Sequence, residues 1–172
     1  MKHTKDKNFY RRGMTFLELM VAMFVLIVGI SGTVGLIQRT ISSAAMVASQ
    51  LKAAYFAKEG VEVVRNIRDS NWVRNIDWLT NIECACCEVA FDHNASTPMT
   101  PCPVGVNTCP PLRPLVYFEG FYRYATGTGI FRRMIRTTRG GDGHLRVEVT
   151  VCWDERGSAR SVTVVEKLYN WR

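Results

Sequence analysis

Charge is missing from Leu19 to Ile37, a run of nineteen residues, and proline is missing everywhere outside Pro98–Pro114. The first gap excludes an ordinary solvated segment: at about 1.5 Å per helical residue it reaches about 28 Å, enough to span bilayer hydrocarbon. The second confines proline-enforced irregularity to one middle stretch. Histidine is scarce as well, with three in the chain, of which only His93 and His144 lie beyond residue 13. No G-x-S-x-G elbow, H-E-x-x-H helix or Walker loop occurs. An enzyme is not expected, and no cofactor is implied. His144 reads as an ordinary strand-entrance histidine, since no nucleophile stands at a useful spacing from it.

What is present is unevenly placed. The 172 residues suit one domain with an appendage. The formal charge is +7. Lys2, Lys5, Lys7, Arg11 and Arg12 against Asp6 put four of those charges into residues 1–13. If that segment is a targeting leader, the basic balance describes the leader and implies no nucleic-acid partner. The six cysteines are Cys84, Cys86, Cys87, Cys102, Cys109 and Cys152. In a chain that meets a membrane they favour an oxidising compartment and disulfides, with 15 connectivities open. Zinc ligation by Cys84, Cys86, Cys87 and His93 is the weaker reading, because the paired C-x₂-C units of common zinc sites are lacking.

The apolar run is longer than the 7–15 residues of a secretory signal, and it begins beside a glutamate, Glu18. A charged side chain in hydrocarbon costs roughly 2.5–3.5 kcal/mol at mid-helix, so an intramembrane acid needs a partner or a function. A cut after Gly13 would make Met14 a free amino terminus about 6 Å along the helix from Glu18. Amine and carboxylate on neighbouring subunits would then neutralise one another inside an apolar bundle.

The basic leader, Gly13 and "MTFLELMVAMFVLIVGISG" resemble the amino terminus of type IV pilins and type II secretion pseudopilins. The resemblance implies cleavage after Gly13 by a prepilin peptidase and methylation of the new amino terminus at Met14, where phenylalanine is the commoner residue. It also implies that Glu18 directs assembly. The implied partners are the prepilin peptidase/methyltransferase, other pilin or pseudopilin subunits, an inner-membrane assembly platform and membrane lipid. The implied location is the inner membrane, single-pass with the carboxyl-terminal domain extracytoplasmic, and then a pilus or pseudopilus. "AKEGVEVVRNIRDSNW" and the final "KLYNW" are similar to minor pilins of the pilus-modification type.

Beyond Ile37 helical periodicity continues through Ile41, Ala44, Ala48, Leu51, Tyr55, Val61, Val64 and Ile67, with one longer step across Lys58. Glu62 with Arg65, and Lys58 with Glu62, have the spacing of a solvated helix face. Gly29, Gly32 and Gly35 recur in the apolar half, for close helix packing or for local loss of helix. Residues 80–118 hold all six prolines and five cysteines and read as an irregular, cross-linked loop. Leu145, Val147, Val149, Val151 and Trp153 alternate with polar residues as in a half-buried strand, and Val162, Val164 and Leu168 continue after a turn at Asp154–Ser158. Gly140–Gly143 reads as a hairpin turn from a strand near Ile130–Thr138 and not as a phosphate cradle.

The expected fold is α+β: a long hydrophobic amino-terminal helix whose second half, through the Ala48–Ile67 stripe, packs on an antiparallel sheet. The expected organisation is a leader (1–13), a transmembrane or filament-core helix (14–37), its continuation (38–71) and a globular head (72–172) with the loop (80–118) and a β-meander (121–170). The leading functional expectation is a minor pilin or pseudopilin. A membrane-anchored extracytoplasmic binding module with a disulfide-rich loop that never polymerises is the second, and an anchored zinc protein the third.

Overall fold

The computed structural model describes residues 13–91, 96, 98–102 and 112–171. One helix, α1 (Phe16–Val73), is followed by strands β1 (Cys87–Glu88), β2 (Thr100–Pro101), β3 (Leu115–Phe118), β4 (Phe121–Tyr124), β5 (Arg132–Arg139), β6 (His144–Glu155) and β7 (Ser158–Tyr169). The architecture is α+β, with the helix packed on an antiparallel sheet. The chain divides into two compact units, Met1–Ala45 and Met46–Arg172.

In the first unit every large apolar side chain from Met14 to Ile41 is exposed. The hydroxyls of Ser31, Thr33 and Thr40 donate to the carbonyls of Ile27, Gly29 and Leu36 one turn back. Their polarity is thereby absorbed by the helix itself, as an apolar environment requires. Helix runs unbroken across Gly29, Gly32 and Gly35, and a Cβ at any of the three would meet nothing within 4 Å.

The second unit is the head. Its five-stranded sheet has the order β2-β1-β5-β6-β7, and β3 and β4 form a separate hairpin. In β6 the residues Leu145, Val147, Val149, Val151 and Trp153 are buried, so the period of two does correspond to the core face. On the helix, Ala53, Phe56, Ala57, Gly60, Val61, Val64 and Ile67 are buried. The covering stripe therefore differs from the expected one. Ala48, Leu51 and Tyr55 face outward, and Phe56 and Gly60 take the contact. The reason is the close approach at Gly60, where an added Cβ would lie 3.0 Å from Val149 and 3.2 Å from Arg133. The longer step in the apolar periodicity is the place where the helix backbone, with no side chain of its own, meets the side chains of Val149, Arg133 and Ile135 on the sheet.

Helix α1 ends in a paired-bond terminus. Ile76 N–H donates to Asn71 O (3.1 Å), Asn75 N–H donates to Trp72 O (3.0 Å), and Asn75 takes φ +56°. This satisfies the last carbonyls with asparagine in the left-handed position usually given to glycine. Arg156-Gly157 and Glu119-Gly120, both pairs with positive φ, close the β6–β7 and β3–β4 hairpins. Two consecutive left-handed residues are what the right-handed twist of paired strands asks of a two-residue loop. The Gly140–Gly143 segment joins β5 to β6 as a hairpin turn. The described residues of the proline- and cysteine-rich stretch include β1, β2 and β3. The three-stranded meander begins at Arg132, because Phe121–Tyr124 pairs with Leu115–Phe118 instead. Arg65 reaches beyond its helical neighbour Glu62 to pair with Glu166 on β7. That face of the helix is thus a clasp on the sheet edge as well as a wet surface.

A charged side chain lies at the centre. Arg133 on β5 is 0% exposed and donates from Nη1 to Phe56 O on the helix (2.9 Å), from Nη2 to Val89 O after β1 (2.6 Å) and from Nε to the Tyr124 hydroxyl on β4 (3.0 Å). Glu59 supplies the carboxylate at 3.2 Å. Burial alone would lower the guanidinium's pKa, but Tyr124 and Glu59 outweigh it and the net direction is upward. Burial likewise pushes the Tyr124 phenol up against the opposing pull of Arg133. Glu88, 1% exposed, is a second deeply buried ionisable side chain and accepts from the backbone N–H (2.8 Å) and Nε (2.6 Å) of Arg113.

Replacing Arg133 by methionine keeps bulk but strands Glu59, Val89 O and the Tyr124 hydroxyl, with an expected loss of about 3–5 kcal/mol. Arg133→Lys is expected to lose nearly as much, because one ammonium cannot reproduce three fixed donor directions. Urea unfolding followed by circular dichroism measures both, and a midpoint for the lysine variant equal to wild type would contradict the hub role.

Candidate functional site

The site begins where the helix does. Thr15 precedes the first helical residue, and its hydroxyl accepts from Glu18 N–H (3.3 Å) while its carbonyl accepts from Leu19 N–H (3.2 Å). Thr15-Phe16-Leu17-Glu18 thus has the S/T-x-x-E spacing of a capping box, with Glu18 in the first turn. A carboxylate there also faces the positive end of the helix dipole, a contribution of about 0.3–1 kcal/mol. Sequence reasoning assigned Glu18 to assembly and passed over Thr15. The signal was available in the T-x-x-E spacing.

Gly13 and Met14 stand just outside the helix and are exposed. A Cβ at Gly13 would meet nothing within 4 Å among the described residues. No contact among them therefore demands glycine at this position. A requirement for it would then come from a molecule that handles the chain. The helix beyond is long and apolar enough to cross a membrane, and the apolar window is wholly unburied.

Residues 8–34 match the family model for the prokaryotic N-terminal methylation motif. The chain carries a prepilin-type amino terminus. This is consistent with a prepilin-type, type IV pilin-like family. The match covers Gly13, Met14, Glu18 and most of the uncharged run, and it leaves the head unmatched. No curated protein and no solved structure matched the chain. The apolar helix and the prepilin motif together fit a membrane-anchored protein.

In the head Cys84 is bonded to Cys87 and Cys86 to Cys102, with Cα separations of 6.1 and 5.4 Å. Cys152 is disulfide-bonded too, while Cys109 lies outside the described residues. Thr137 fixes the entry to the cross-linked segment, since its hydroxyl donates to Ile82 O (2.9 Å) and accepts from Cys84 N–H (2.7 Å). Among the described residues no three His, Cys, Asp or Glu side chains are grouped to hold a metal. His93 of the zinc alternative lies outside the described residues.

Two outcomes are expected here. Gly13→Val should block leader removal, seen as an unshifted band when the chain is co-expressed with a prepilin peptidase, because no contact among the described residues calls for glycine at 13. Cleavage at the normal rate would contradict the assignment. Peptide mapping of non-reduced exported protein should return Cys84–Cys87 and Cys86–Cys102 as linked pairs and Cys152 in a further disulfide. Four or more free thiols would contradict it.

Proposed function

We propose that this chain is a minor type IV pilin or pseudopilin, cut after Gly13, methylated at Met14 and built into a filament by its apolar helix. The observation that carries the reading is the methylation motif over residues 8–34, set on a helix whose large apolar side chains from Met14 to Ile41 find no cover among the described residues. Isolated in water such a surface far exceeds the few hundred Å² that monomeric proteins expose, so lipid or neighbouring helices must cover it. A subunit that passes from membrane to filament uses one surface for both. The partners are then a prepilin peptidase/methyltransferase, other subunits and an inner-membrane assembly platform, with the head on the extracytoplasmic side, where its disulfides persist.

Glu18 supplies the specificity of assembly in this reading. Inside an apolar bundle an unpaired carboxylate and an unpaired amine are each costly, and pairing Glu18 with the Met14 amine of a neighbour removes both costs together. Register between subunits follows from that pairing, because only one axial offset brings the two groups to the same depth.

Glu18→Gln separates this role from the local one. Glutamine serves at the third position of a capping box as glutamate does, so the helix start is kept and only the charge is lost. Membrane insertion and Gly13 cleavage are expected to be unchanged, while the amount of this subunit in sheared filaments, relative to the membrane fraction, should fall. Equal incorporation would overturn the charge-pairing role.

A further inference from the structure

Three of the chain's four tryptophans, Trp72, Trp78 and Trp171, gather at the carboxyl end of α1. Core packing accounts for only part of this. Trp72 is buried, but Trp171 packs on it edge-to-face (4.4 Å between centroids, 67°) and stays 70% exposed. Beside the pair lies an open cleft of about 440 Å³ lined by Trp72, Asn75, Ile76, Asp77, Trp78 and Asn170. This is within the size range of small-molecule sites, and its lining combines aromatic surface with a few convergent polar groups.

The chemistry of the lining selects among ligands. Two amides, Asn75 and Asn170, offer both donors and acceptors, and one carboxylate, Asp77, offers acceptors only. Among the described residues no lysine or arginine lines the cleft. Arg68, a nearby cation, sits over the Trp72 ring at 4.5 Å and is bonded to Asp69 at 2.9 Å. A phosphate or a nucleic acid would find no cation in that lining to neutralise it. An apolar peptide would leave the amides unpaired. A ligand rich in hydroxyls with flat apolar ring faces fits both halves: the faces stack on indole, and the hydroxyls bond amides and carboxylate.

The cleft is also preorganised. Trp72 Nε1–H donates to Asn170 Oδ1 (3.1 Å), the paired-bond terminus of α1 holds Asn75, and Asn71 Nδ2 donates to the carbonyls of Trp78 (3.2 Å) and Thr80 (2.8 Å). Little ordering is left for a ligand to impose. We propose that this cleft binds a neutral β-1,4-linked glycan, whose equatorial substituents leave both ring faces free, with Trp171 as the stacking platform. The proposal is independent of filament incorporation, because every group belongs to the head.

The test uses the full chain in a zwitterionic detergent, since sugar-headed detergents would compete. Cellotetraose and chitotetraose are titrated by calorimetry and by tryptophan fluorescence, with an expected Kd of about 0.1–1 mM for at least one, as suits a shallow open site. Trp171→Ala should weaken binding at least tenfold while leaving circular dichroism and the unfolding midpoint unchanged, because Trp171 lies mostly outside the core. Asn75→Gly keeps the left-handed helix terminus and removes the amide, and should weaken binding severalfold. Absence of binding by both sugars at about 10 mM, far above the Kd range of such sites, would overturn the proposal. So would unchanged affinity in Trp171→Ala, or preferential binding of a heparin-derived tetrasaccharide, which would point to an anionic ligand.

Discussion

A guanidinium cannot shed its charge at any pH the protein meets, so once Arg133 is enclosed its partners must be brought to it. Those partners come from three places in the chain: Phe56 O and Glu59 on the helix, Val89 O after β1, and the Tyr124 hydroxyl on β4. Apolar contacts between helix and sheet would tolerate sliding, because one branched aliphatic can replace another. The Arg133 bonds do not, since a shift of one residue leaves a buried charge unpaired, with a penalty of several kcal/mol. Gly60 belongs to the same constraint. By letting the helix approach within contact of Val149 and the Arg133 side chain, it brings the Phe56 carbonyl within reach of Nη1.

The other half of the helix obeys a different solvent. From Met14 to Ile41 the large apolar side chains point outward all round, and the hydroxyls among them are spent on the helix's own carbonyls. Between Leu19 and Ile37 nothing on this surface asks for water. From Ala53 onward one stripe is buried and the opposite face carries Lys52, Lys58, Glu62 and Asn66. A single element thus changes from a helix that must be covered by other molecules to one that covers a sheet.

Much of this was legible in the sequence wherever periodicity carries the information. Leu145 to Trp153 alternate because one face of β6 is core and the other is not, and the uncharged run and Gly13–Glu18 spacing are local patterns that survive without knowledge of the fold. The phase of the helix on the sheet was not legible, and Tyr55 was taken for a core residue in place of Phe56. Glycine registers as an absence in an apolar pattern, so the closest contact at Gly60 looked like a gap. Arg133 was passed over because charge predicts exposure, and its partners lie far away in sequence. The Glu119-Gly120 turn lacks the asparagine or aspartate that usually announces such loops. The strands β1 and β3 were hidden in a segment whose prolines and cysteines speak for irregularity, and pairings this short have no periodicity to read.

At the amino terminus the local role of Glu18 and its proposed assembly role are compatible, and the position of Thr15 shows why. The capping hydroxyl belongs to a residue beyond Gly13, so a cut at that glycine would leave the helix start and its first-turn carboxylate in place. In the proposed reading, leader removal would take away four of the seven net positive charges and create an amine at Met14, one residue outside the cap. Before such a cut, the cationic leader would hold this end at the membrane surface, where a carboxylate in the first turn remains near water. After it, the same carboxylate would be the one full side-chain charge available to match the new amine from another chain across the apolar run, since no other charged residue occurs between Met14 and Ile37. Processing would therefore alter the electrostatics of this end while keeping the capped helix start, which is the condition for a subunit to be stored in one environment and used in another.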